Sequence, residues 1–446
     1  MPSATRGRES LVSFPSKPRV FILTDITNEP DDAQSFCRYV TYANQFQTEG
    51  VILDGYEKVV DNLNAHAHLD WQYPMVETLK NVVRGGAPVF GMLAVGDDIP
   101  LSDGGELLLE RLTAPDQSPL WVIVWGGVNV LAQVLFRVYT ISDQDDSGAW
   151  IRQQWPDIFY ICSVHGWNQY DAAAWRGISS DNAGEKGGPD PSKITNEWIR
   201  ENIQIGPLGA EYPDVEYSME GDTPAFLYLI QNGLGVPEEP SYGSWGGRYV
   251  PINPSPRGIP ARGHHSDAID RVIGIDGREH ISNKATVWRW RNAFQNDFAA
   301  RMQWTLRPDF VSCNHHPVIT INGDTGLAPI RVEVEAGSVV SFDASATYDP
   351  DGDDLTFKWF HYKEPGWTMT QLGHEGSDLE IKVLDADGVK VDVTVPPPER
   401  SCLEFFEKKP LKRGPILHLI LGVVDSGSPP LTSYRRILIQ PINPDA

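Results

Sequence analysis

The sequence predicts an α/β fold: an open, mostly parallel sheet with helices on both faces, followed by a C-terminal immunoglobulin-like β-sandwich. Two observations favour it. Before residue 313, short apolar runs alternate with amphipathic helical stretches, as is typical of βαβ units. Beyond residue 314, short alternating segments are separated by turns rich in Gly, Pro and Asp, as is typical of a sandwich. We therefore expect two domains, 1–313 and 314–446, which suits a length of 446 residues.

Five apolar runs are the predicted strands of the first domain, and they lie at 19–24, 50–55, 88–91, 120–127 and 158–162. Amphipathic stretches at 33–43 and 130–138 are predicted helices that follow the first and fourth of these strands. Ligands of a parallel sheet bind at the carboxyl ends of its strands. Polar side chains that follow the apolar runs are therefore candidate site residues.

Seven segments are the predicted strands of the second domain, at 318–321, 330–334, 338–342, 355–360, 379–383, 416–421 and 436–439. The stretch 341–359 resembles the strand–turn–strand signature of PKD-like immunoglobulin modules. Its turn contains Asp349, Asp351, Asp353 and Asp354. The sequence leaves two interpretations open for this turn, a structural calcium site and a plain acidic turn.

The composition limits the class of partner. A formal net charge of −23 at pH 7 argues against a nucleic-acid partner and against an anionic membrane surface. The 14 Trp residues favour a carbohydrate only slightly. No apolar run approaches the ~20 residues of a membrane helix, and the first residues lack the apolar core of a secretory signal. We expect a secreted protein if a signal was removed and a cytoplasmic one otherwise, and a homo-oligomer stays open.

The four cysteines are far apart and form no zinc-like pairing; they are Cys37, Cys162, Cys313 and Cys402. Buried free thiols are the expected state. A Cys313–Cys402 disulfide is the alternative, although the spacing gives it no support.

The most informative motif is the acidic loop that follows the first predicted strand. Asp25, Glu29, Asp31 and Asp32 lie within eight residues, and unpaired carboxylates this close would repel one another. A hard cation removes that penalty, and Ca²⁺ takes several oxygen ligands from such clusters. The alternative is that Asp31 and Asp32 cap the following helix. Because capping explains one or two carboxylates and not four, the loop favours a calcium site.

Several segments together resemble a known family, in their order and spacing. They are the loop 24–32 and the segments 125–129, 142–151, 220–224, 245–248 and 289–298. The resemblance is to the nucleoside hydrolases, calcium-dependent N-ribosidases with an open α/β fold. It is closer to their relatives known as cellulose-binding proteins, which carry a C-terminal immunoglobulin-like domain. It covers about 18–446 and implies Ca²⁺ as cofactor.

The resemblance implies roles for individual residues. Asp25, Asp32 and Asp222 match calcium ligands, Asp31 matches a residue that contacts a sugar hydroxyl, and a main-chain carbonyl near Trp125 would complete the metal shell. The candidate substrate-binding residues are Asp31, Trp125, Asn129, Asn168, Trp245 and Arg248.

Two positions depart from the family pattern. The second family aspartate, which binds metal and takes the proton of the attacking water, falls on Thr27. The family histidine that serves as the acid falls on Gly221. Either Asp25 or Glu29 would then replace the base, and either Glu220 or His165 the acid. The candidate catalytic residues are therefore Asp25, Glu29, His165 and Glu220.

The function that follows is a calcium-dependent glycoside hydrolase, a glycosidase acting on a furanosyl bond of an oligo- or polysaccharide. A carboxylate would activate a metal-bound water. The first alternative is a non-catalytic carbohydrate-binding protein that recognises cellulose. The second is a nucleoside N-ribohydrolase, which the missing histidine disfavours.

Overall fold

The computed structural model describes residues 7–26, 30–49, 55–96, 98–115, 118–135, 146–163, 171–179, 186–216, 218–252, 263–366, 378–404 and 409–446. The α-helices of these residues are α1 (Pro30–Val40), α2 (Val60–Ala65), α3 (Val76–Lys80), α4 (Asp103–Thr113), α5 (Val128–Leu135), α6 (Asp146–Gln154), α7 (Asn196–Asn202), α8 (Gly206–Gly209), α9 (Thr223–Leu227), α10 (Ala285–Trp288), α11 (Arg291–Trp304) and α12 (Pro398–Ser401).

The strands of these residues are β1 (Arg19–Leu23), β2 (Gln47–Thr48), β3 (Leu120–Val124), β4 (Tyr160–Ile161), β5 (Tyr249–Pro251), β6 (His264–Asp267), β7 (Asp270–Ile273), β8 (Glu279–Ser282), β9 (Thr320–Ile321), β10 (Asp324–Thr325), β11 (Ile330–Glu335), β12 (Val339–Asp343), β13 (Leu355–Tyr362), β14 (Glu380–Val383), β15 (Lys390–Thr394), β16 (Leu417–Asp425) and β17 (Thr432–Ile442). Helices and strands are interspersed up to α11, and strands dominate after it. The protein is thus a mixed α/β fold with a strand-rich C-terminal region.

A parallel sheet with the strand order β2-β1-β3 organises the N-terminal region. Side chains of β1 alternate between two hydrophobic clusters. Val20 and Ile22 pack with residues of α1, whereas Phe21 and Leu23 pack with residues of α4 and α5. Helices therefore cover both faces of β1, and this explains why its sequence is a continuous apolar run.

The described part of this sheet has three strands, not the five predicted. Residues 88–91 form no strand, because Pro88 lacks the N–H that a sheet needs and the chain enters a 3₁₀-helix at Gly91. The predicted fifth strand, β4, pairs instead with β6 in a separate sheet of order β4-β6-β5. The predicted second strand lies mostly outside the described residues, and β2, just before it, pairs with β1.

The described C-terminal region has two main sheets and a two-stranded hairpin of β9 and β10. The larger has the order β11-β17-β16-β13 and the smaller β12-β15-β14. One hydrophobic cluster contains residues of both sheets, including Phe342, Val391, Leu419 and Ile437. The predicted strands of this region are present, although β15 was not predicted from its sequence. The immunoglobulin-like classification stays a prediction.

The two regions share one hydrophobic core. Tyr434 of β17 packs its ring against Trp245 and Trp290, with ring centroids 6.4 and 5.6 Å apart. Arg436, also on β17, donates from Nε to the carbonyl oxygen of Leu234 at 2.8 Å. Residue 313 therefore marks a change of architecture, and a boundary between independent domains at that point stays a prediction.

All four cysteines are free thiols, as expected, and the alternative Cys313–Cys402 disulfide is not formed. Cys313 is half-buried and the other three are buried. Among the helices that the structure describes, none has both the length and the apolar character needed to cross a membrane.

Candidate metal centre

Three carboxylates converge where β1 leads into α1. Asp31 and Asp32 belong to the first turn of α1, and Asp222 directly precedes α9. Each carboxylate offers an oxygen atom, and these atoms all lie within 4.8 Å of one another. Asp32 is buried and the other two are half-buried. The group lies at the carboxyl end of a parallel strand, the position at which such sheets bind ligands.

The N-terminus of α1 accommodates part of this negative charge. The unpaired N–H groups of a first helical turn favour carboxylates, and Asp31 and Asp32 occupy that turn. Thr24, just after β1, donates a hydrogen bond from Oγ1 to Asp32. The helix N-terminus therefore accounts for the position of two carboxylates, and Asp222 has to be brought in from a distant segment.

A buried polar face of α1 places Asp222 opposite the other two carboxylates. Gln34 accepts a hydrogen bond from the backbone N–H of Glu220 at 2.9 Å. Thr223 donates from Oγ1 to the hydroxyl of Ser35 at 3.0 Å. Arg38 forms an ion pair with Glu220, with 3.1 Å between Nε and Oε2. We call these α1 residues, Gln34, Ser35 and Arg38, the α1 clamp, since they fix the turn 220–223 on both sides of Asp222.

The α1 clamp was not predicted from the sequence, although a signal for it exists. Asp31, Gln34, Ser35 and Arg38 have the spacing i, i+3, i+4, i+7 and therefore share one helix face. A polar stripe with this spacing in a helix next to a buried strand indicates that the helix binds a polar segment inside the protein.

Glu220 is a positioning residue in this structure and not the predicted acid. Its side chain is fully buried, it pairs with Arg38, and it accepts a hydrogen bond from the Tyr212 hydroxyl at 2.8 Å. Burial raises the pKa of Glu220, and the charge of Arg38 and the Tyr212 hydrogen bond oppose that shift. Its φ of 54° is unusual for a residue with a side chain, and the contacts with the α1 clamp hold it there.

Gly221 explains why the family histidine has no counterpart here. A Cβ atom at this position would lie 2.7 Å from Oδ2 of Asp31 and 3.1 Å from the ring of Trp175. A histidine at position 221 would therefore require the Asp31 carboxylate and the Trp175 ring to shift.

Asp25, predicted as a metal ligand and as a base, lies outside the three-carboxylate group. Its side chain is exposed, and it packs over Gly126, where an added Cβ would lie 2.2 Å from the Asp25 Oδ1 atom. Thr24 contacts Asp32, whereas its neighbour Asp25 is directed to the end of β3. The structure therefore groups Asp31 with Asp32 and Asp222, in place of the predicted set Asp25, Asp32 and Asp222.

Three predicted substrate-binding side chains belong to the protein interior. Trp125 packs edge-on against Phe36, with ring centroids 4.7 Å apart. Trp245 is 1% exposed. Arg248 is 3% exposed, and its Nε lies 2.7 Å from Oδ1 of the buried Asp270. In this structure these side chains are not accessible to a sugar, which corrects the expectation from the sequence.

Asn129 has a structural contact at the start of α5. It is buried, and its Nδ2 donates to the carbonyl oxygen of Val89 at 2.5 Å. The remaining predicted site residues, Glu29, His165 and Asn168, lie outside the described residues, and their roles stay predictions.

The donor set of the three-carboxylate group suits a hard divalent cation. Carboxylate oxygens are preferred ligands of Ca²⁺, and the group combines three formal negative charges at one point. The parallel sheet with this group at its edge defines a nucleoside-hydrolase-like α/β protein.

The comparison with protein families identifies the family of this protein. The nucleoside hydrolase-like domain of cellulose-binding Sde182 matches residues 19–54 and 51–249. The C-terminal domain of cellulose-binding protein Sde0182 matches residues 339–441. The chain belongs to this family of Sde182-like cellulose-binding proteins. No curated protein matches the chain significantly.

Among solved structures, the chain is similar to a nucleoside hydrolase-related protein from Saccharophagus degradans that is associated with carbohydrate metabolism. The two sequences are 29% identical, the match covers 95% of this chain and 99% of that one, and the TM-score is 0.72. A second match, to human CDH23 EC21-23, has 14% identity and covers 28% of this chain and 33% of that one. Its TM-score of 0.17 is too low to support any argument.

Proposed function

We propose that the protein is a calcium-dependent hydrolase of a glycosidic bond in a carbohydrate. The main observation in support is that Asp31, Asp32 and Asp222 converge at the carboxyl end of β1 from two distant chain segments. The α1 clamp supports the proposal, because it fixes the turn that carries Asp222 by several buried contacts. Membership of a family with a nucleoside hydrolase-like domain and a cellulose-binding name supports the substrate class.

In this proposal Asp31, Asp32 and Asp222 hold the cation. When bound, it supplies Lewis-acid polarisation of a water molecule and orients vicinal hydroxyl groups of the sugar. Asp31, which is half-buried, accepts a hydrogen bond from a sugar hydroxyl, and the exposed Asp25 takes the proton of the attacking water. The water forms a bond to the anomeric carbon as the bond to the leaving oxygen breaks, and the leaving oxygen takes up a proton from solvent water. The concentrated negative charge stabilises the oxocarbenium-like transition state.

A carbohydrate-binding protein without turnover is the second candidate. It is favoured by Gly221, which lacks the side chain that supplies the acid in nucleoside hydrolases. The family description as cellulose-binding agrees with it. The same glycine disfavours a nucleoside N-ribohydrolase, since the leaving base would have no acid at this position.

The experiment compares the wild type with Asp222→Asn and with the control Asp214→Asn. Asp214 is an exposed carboxylate close by in the chain that belongs to no described metal group. We expect purified wild type and the control to retain calcium and to release sugar from a panel of furanosides and plant oligosaccharides. Asp222→Asn should lose both the calcium of this site and the activity.

The same variants separate the second candidate. Retention on insoluble cellulose by wild type and by Asp222→Asn alike, without sugar release from any substrate, would establish binding without turnover. Calcium content and sugar release that are equal in Asp222→Asn and in the wild type would refute the metal-dependent hydrolase.

A further inference from the structure

The C-terminal region contains a second group of carboxylates that the proposed function does not use. Asp349, Asp351 and Asp353 lie in the turn between β12 and β13, and each offers an oxygen within 4.8 Å of the others. Their spacing, i, i+2 and i+4, is that of the first three ligands of calcium-binding loops. Gly352, with a φ of 85°, allows the tight turn between the last two. Because the glycine is fourth and not sixth, this is not an EF-hand loop.

One carboxylate of this turn has a buried oxygen without a partner. Asp349 is 5% exposed. Its Oδ1 accepts the backbone N–H groups of Asp351 and Asp353, at 2.8 and 3.1 Å. Its Oδ2 is buried and has no hydrogen-bond partner among the described residues. A buried polar atom left unpaired costs free energy, and a cation bound to this oxygen would remove that cost.

Two further unpaired oxygens flank the turn. Asp425 at the end of β16 is opposite Leu355 at the start of β13, and Asn314 donates from Nδ2 to Oδ1 of Asp425 at 2.9 Å. Oδ2 of Asp425 and Oδ1 of Asn314 are buried and, within the described ranges, accept no hydrogen bond. Ser426 links this strand end to the turn, donating from its hydroxyl to Oδ1 of Asp353 at 3.4 Å.

The negative charge of this group has no cationic partner of its own. Among the described residues, no Lys or Arg side chain forms an ion pair with Asp349, Asp353 or Asp425. Asp351 contacts the imidazole of His315, with 3.0 Å between Oδ1 and Nδ1. Buried carboxylates are ordinarily paired or coordinate a metal.

We propose that the turn 349–353 binds a divalent cation of the Ca²⁺ class, with Asp349, Asp351 and Asp353 as carboxylate ligands. The donors are hard oxygens, as Ca²⁺ requires. The unpaired oxygens of Asp425 and Asn314 add negative potential beside the site. This site is separate from the Asp31–Asp32–Asp222 group and does not depend on the proposed function.

The position of the site gives the cation a role at the junction of the two regions. Asp351 accepts the backbone N–H of His315 at 2.6 Å. Nε2 of His315 lies 3.1 Å from Nδ1 of His66, and Nε2 of His66 lies 2.9 Å from the carbonyl oxygen of Arg307. A cation that orders Asp351 therefore orders a chain of contacts that reaches α2 and the end of α11. Calcium should rigidify the junction around residues 312–316.

The test uses the full chain, freed of metal with a chelator and then titrated with Ca²⁺. The variant Asp349→Asn keeps an oxygen for the two backbone N–H groups and replaces the other oxygen by a nitrogen donor. We expect it to bind one calcium fewer than the wild type. Its calcium-dependent rise in Tm should be smaller than that of the wild type, and it should lose the slower hydrogen exchange of residues 312–316.

Three further variants make the result specific. Asp385→Asn removes a carboxylate that accepts a backbone N–H in another turn of the same region, and it should behave as the wild type. Asp222→Asn should keep the calcium-dependent protection of 312–316, even if it loses the other metal. Asp353→Asn, a half-buried position, replaces Asp349→Asn if that variant does not fold.

Two outcomes would overturn the proposed calcium site in the turn 349–353. It is overturned if the wild type shows no calcium-dependent rise in Tm or protection of 312–316, or if Asp349→Asn and Asp353→Asn both retain the wild-type calcium count. A loss of calcium in Asp222→Asn alone would support the N-terminal metal centre and refute this site.

Discussion

The ion pair between Arg38 and Glu220 connects the metal centre to the stability of the fold. Both side chains are fully buried, and 3.1 Å separates Nε from Oε2. In Glu220→Gln the amide keeps the shape of the side chain and can still accept the Tyr212 hydroxyl, but the charge of Arg38 loses its counter-ion. This substitution therefore isolates the charge of Glu220 from its volume.

The expected cost follows from burial. Breaking a buried ion pair by removing one partner costs about 3–5 kcal/mol, because the other charge stays uncompensated. Arg38 retains a hydrogen bond to Gln295, and its guanidinium lies 4.3 Å from the ring centre of Phe298. These contacts partly stabilise the remaining charge, so we expect a loss of about 3 kcal/mol in the free energy of unfolding.

The assay is a double-mutant cycle in chemical denaturation. It combines Glu220→Gln with Arg38→Met, which removes the charge at the other end of the pair. The double variant buries no unpaired charge, so its loss should be smaller than the sum of the single losses by about 2 kcal/mol. The calcium affinity of folded Glu220→Gln should also fall, since the turn that carries Asp222 loses one of its anchors.

Two results would refute this reasoning. If Glu220→Gln unfolds within about 1 kcal/mol of the wild type, or if the losses are additive, the buried pair does not anchor the turn. If Glu220→Gln is destabilised but binds calcium as tightly as the wild type, the pair stabilises the fold without positioning Asp222.

Two other predictions concern the end of β1 and the response to acid. Gly126→Ala would force a Cβ to within 2.2 Å of Oδ1 of Asp25, so we expect a loss of about 1–3 kcal/mol in chemical denaturation. Burial lowers the pKa of His361 to about 4 and, together with the nearby Arg436, that of His418 well below its ordinary value. Both stay neutral in the fold while the unfolded chain takes up protons below about pH 6.5. The free energy of unfolding should therefore fall as the pH is lowered below that value, and these two histidines should contribute up to about 2.7 kcal/mol per pH unit.

Each of these predictions has a matched control. The control for Gly126→Ala is Gly85→Ala, because an added Cβ at Gly85 has no atom within 4 Å. An equal loss of stability in both variants would contradict the steric reason. For the pH response, the control is His418→Gln, whose amide oxygen can accept the hydrogen bond that Arg436 donates at 2.9 Å. This variant should lose up to about 1.4 kcal/mol per pH unit from the slope of the wild type, and an unchanged slope would contradict the role of His418.

The sequence predicted the parts of the structure that local pattern determines. The continuous apolar run of β1 and the carboxylates that follow it placed Asp31 and Asp32 correctly at the end of a buried strand. The strands of the C-terminal region were predicted from their alternation and turns. The position of Asp222 beside Asp31 and Asp32 came from the family resemblance and not from any local pattern.

The side-chain positions that were not predicted depend on tertiary packing, which cannot be read from local sequence patterns. The direction of the Asp25 side chain depends on its contact with Gly126, a residue of another strand. Trp125 and Trp245 are large residues next to glycines, and such a motif fits an exposed sugar platform and a buried core equally well. The α1 clamp joins residues almost two hundred positions apart, so its polar stripe gains meaning only when its partner is known.

The last strand, β17, has a consequence for how the protein is made. It brings Tyr434 and Arg436 into the core that holds Trp245 and Trp290, residues synthesised long before it. Translation must therefore reach β17 before the N-terminal region can finish packing, and until then the apolar surface of that region is exposed to aggregation. A premature stop that removes β17 should yield an aggregating product and not a shorter N-terminal region that folds on its own.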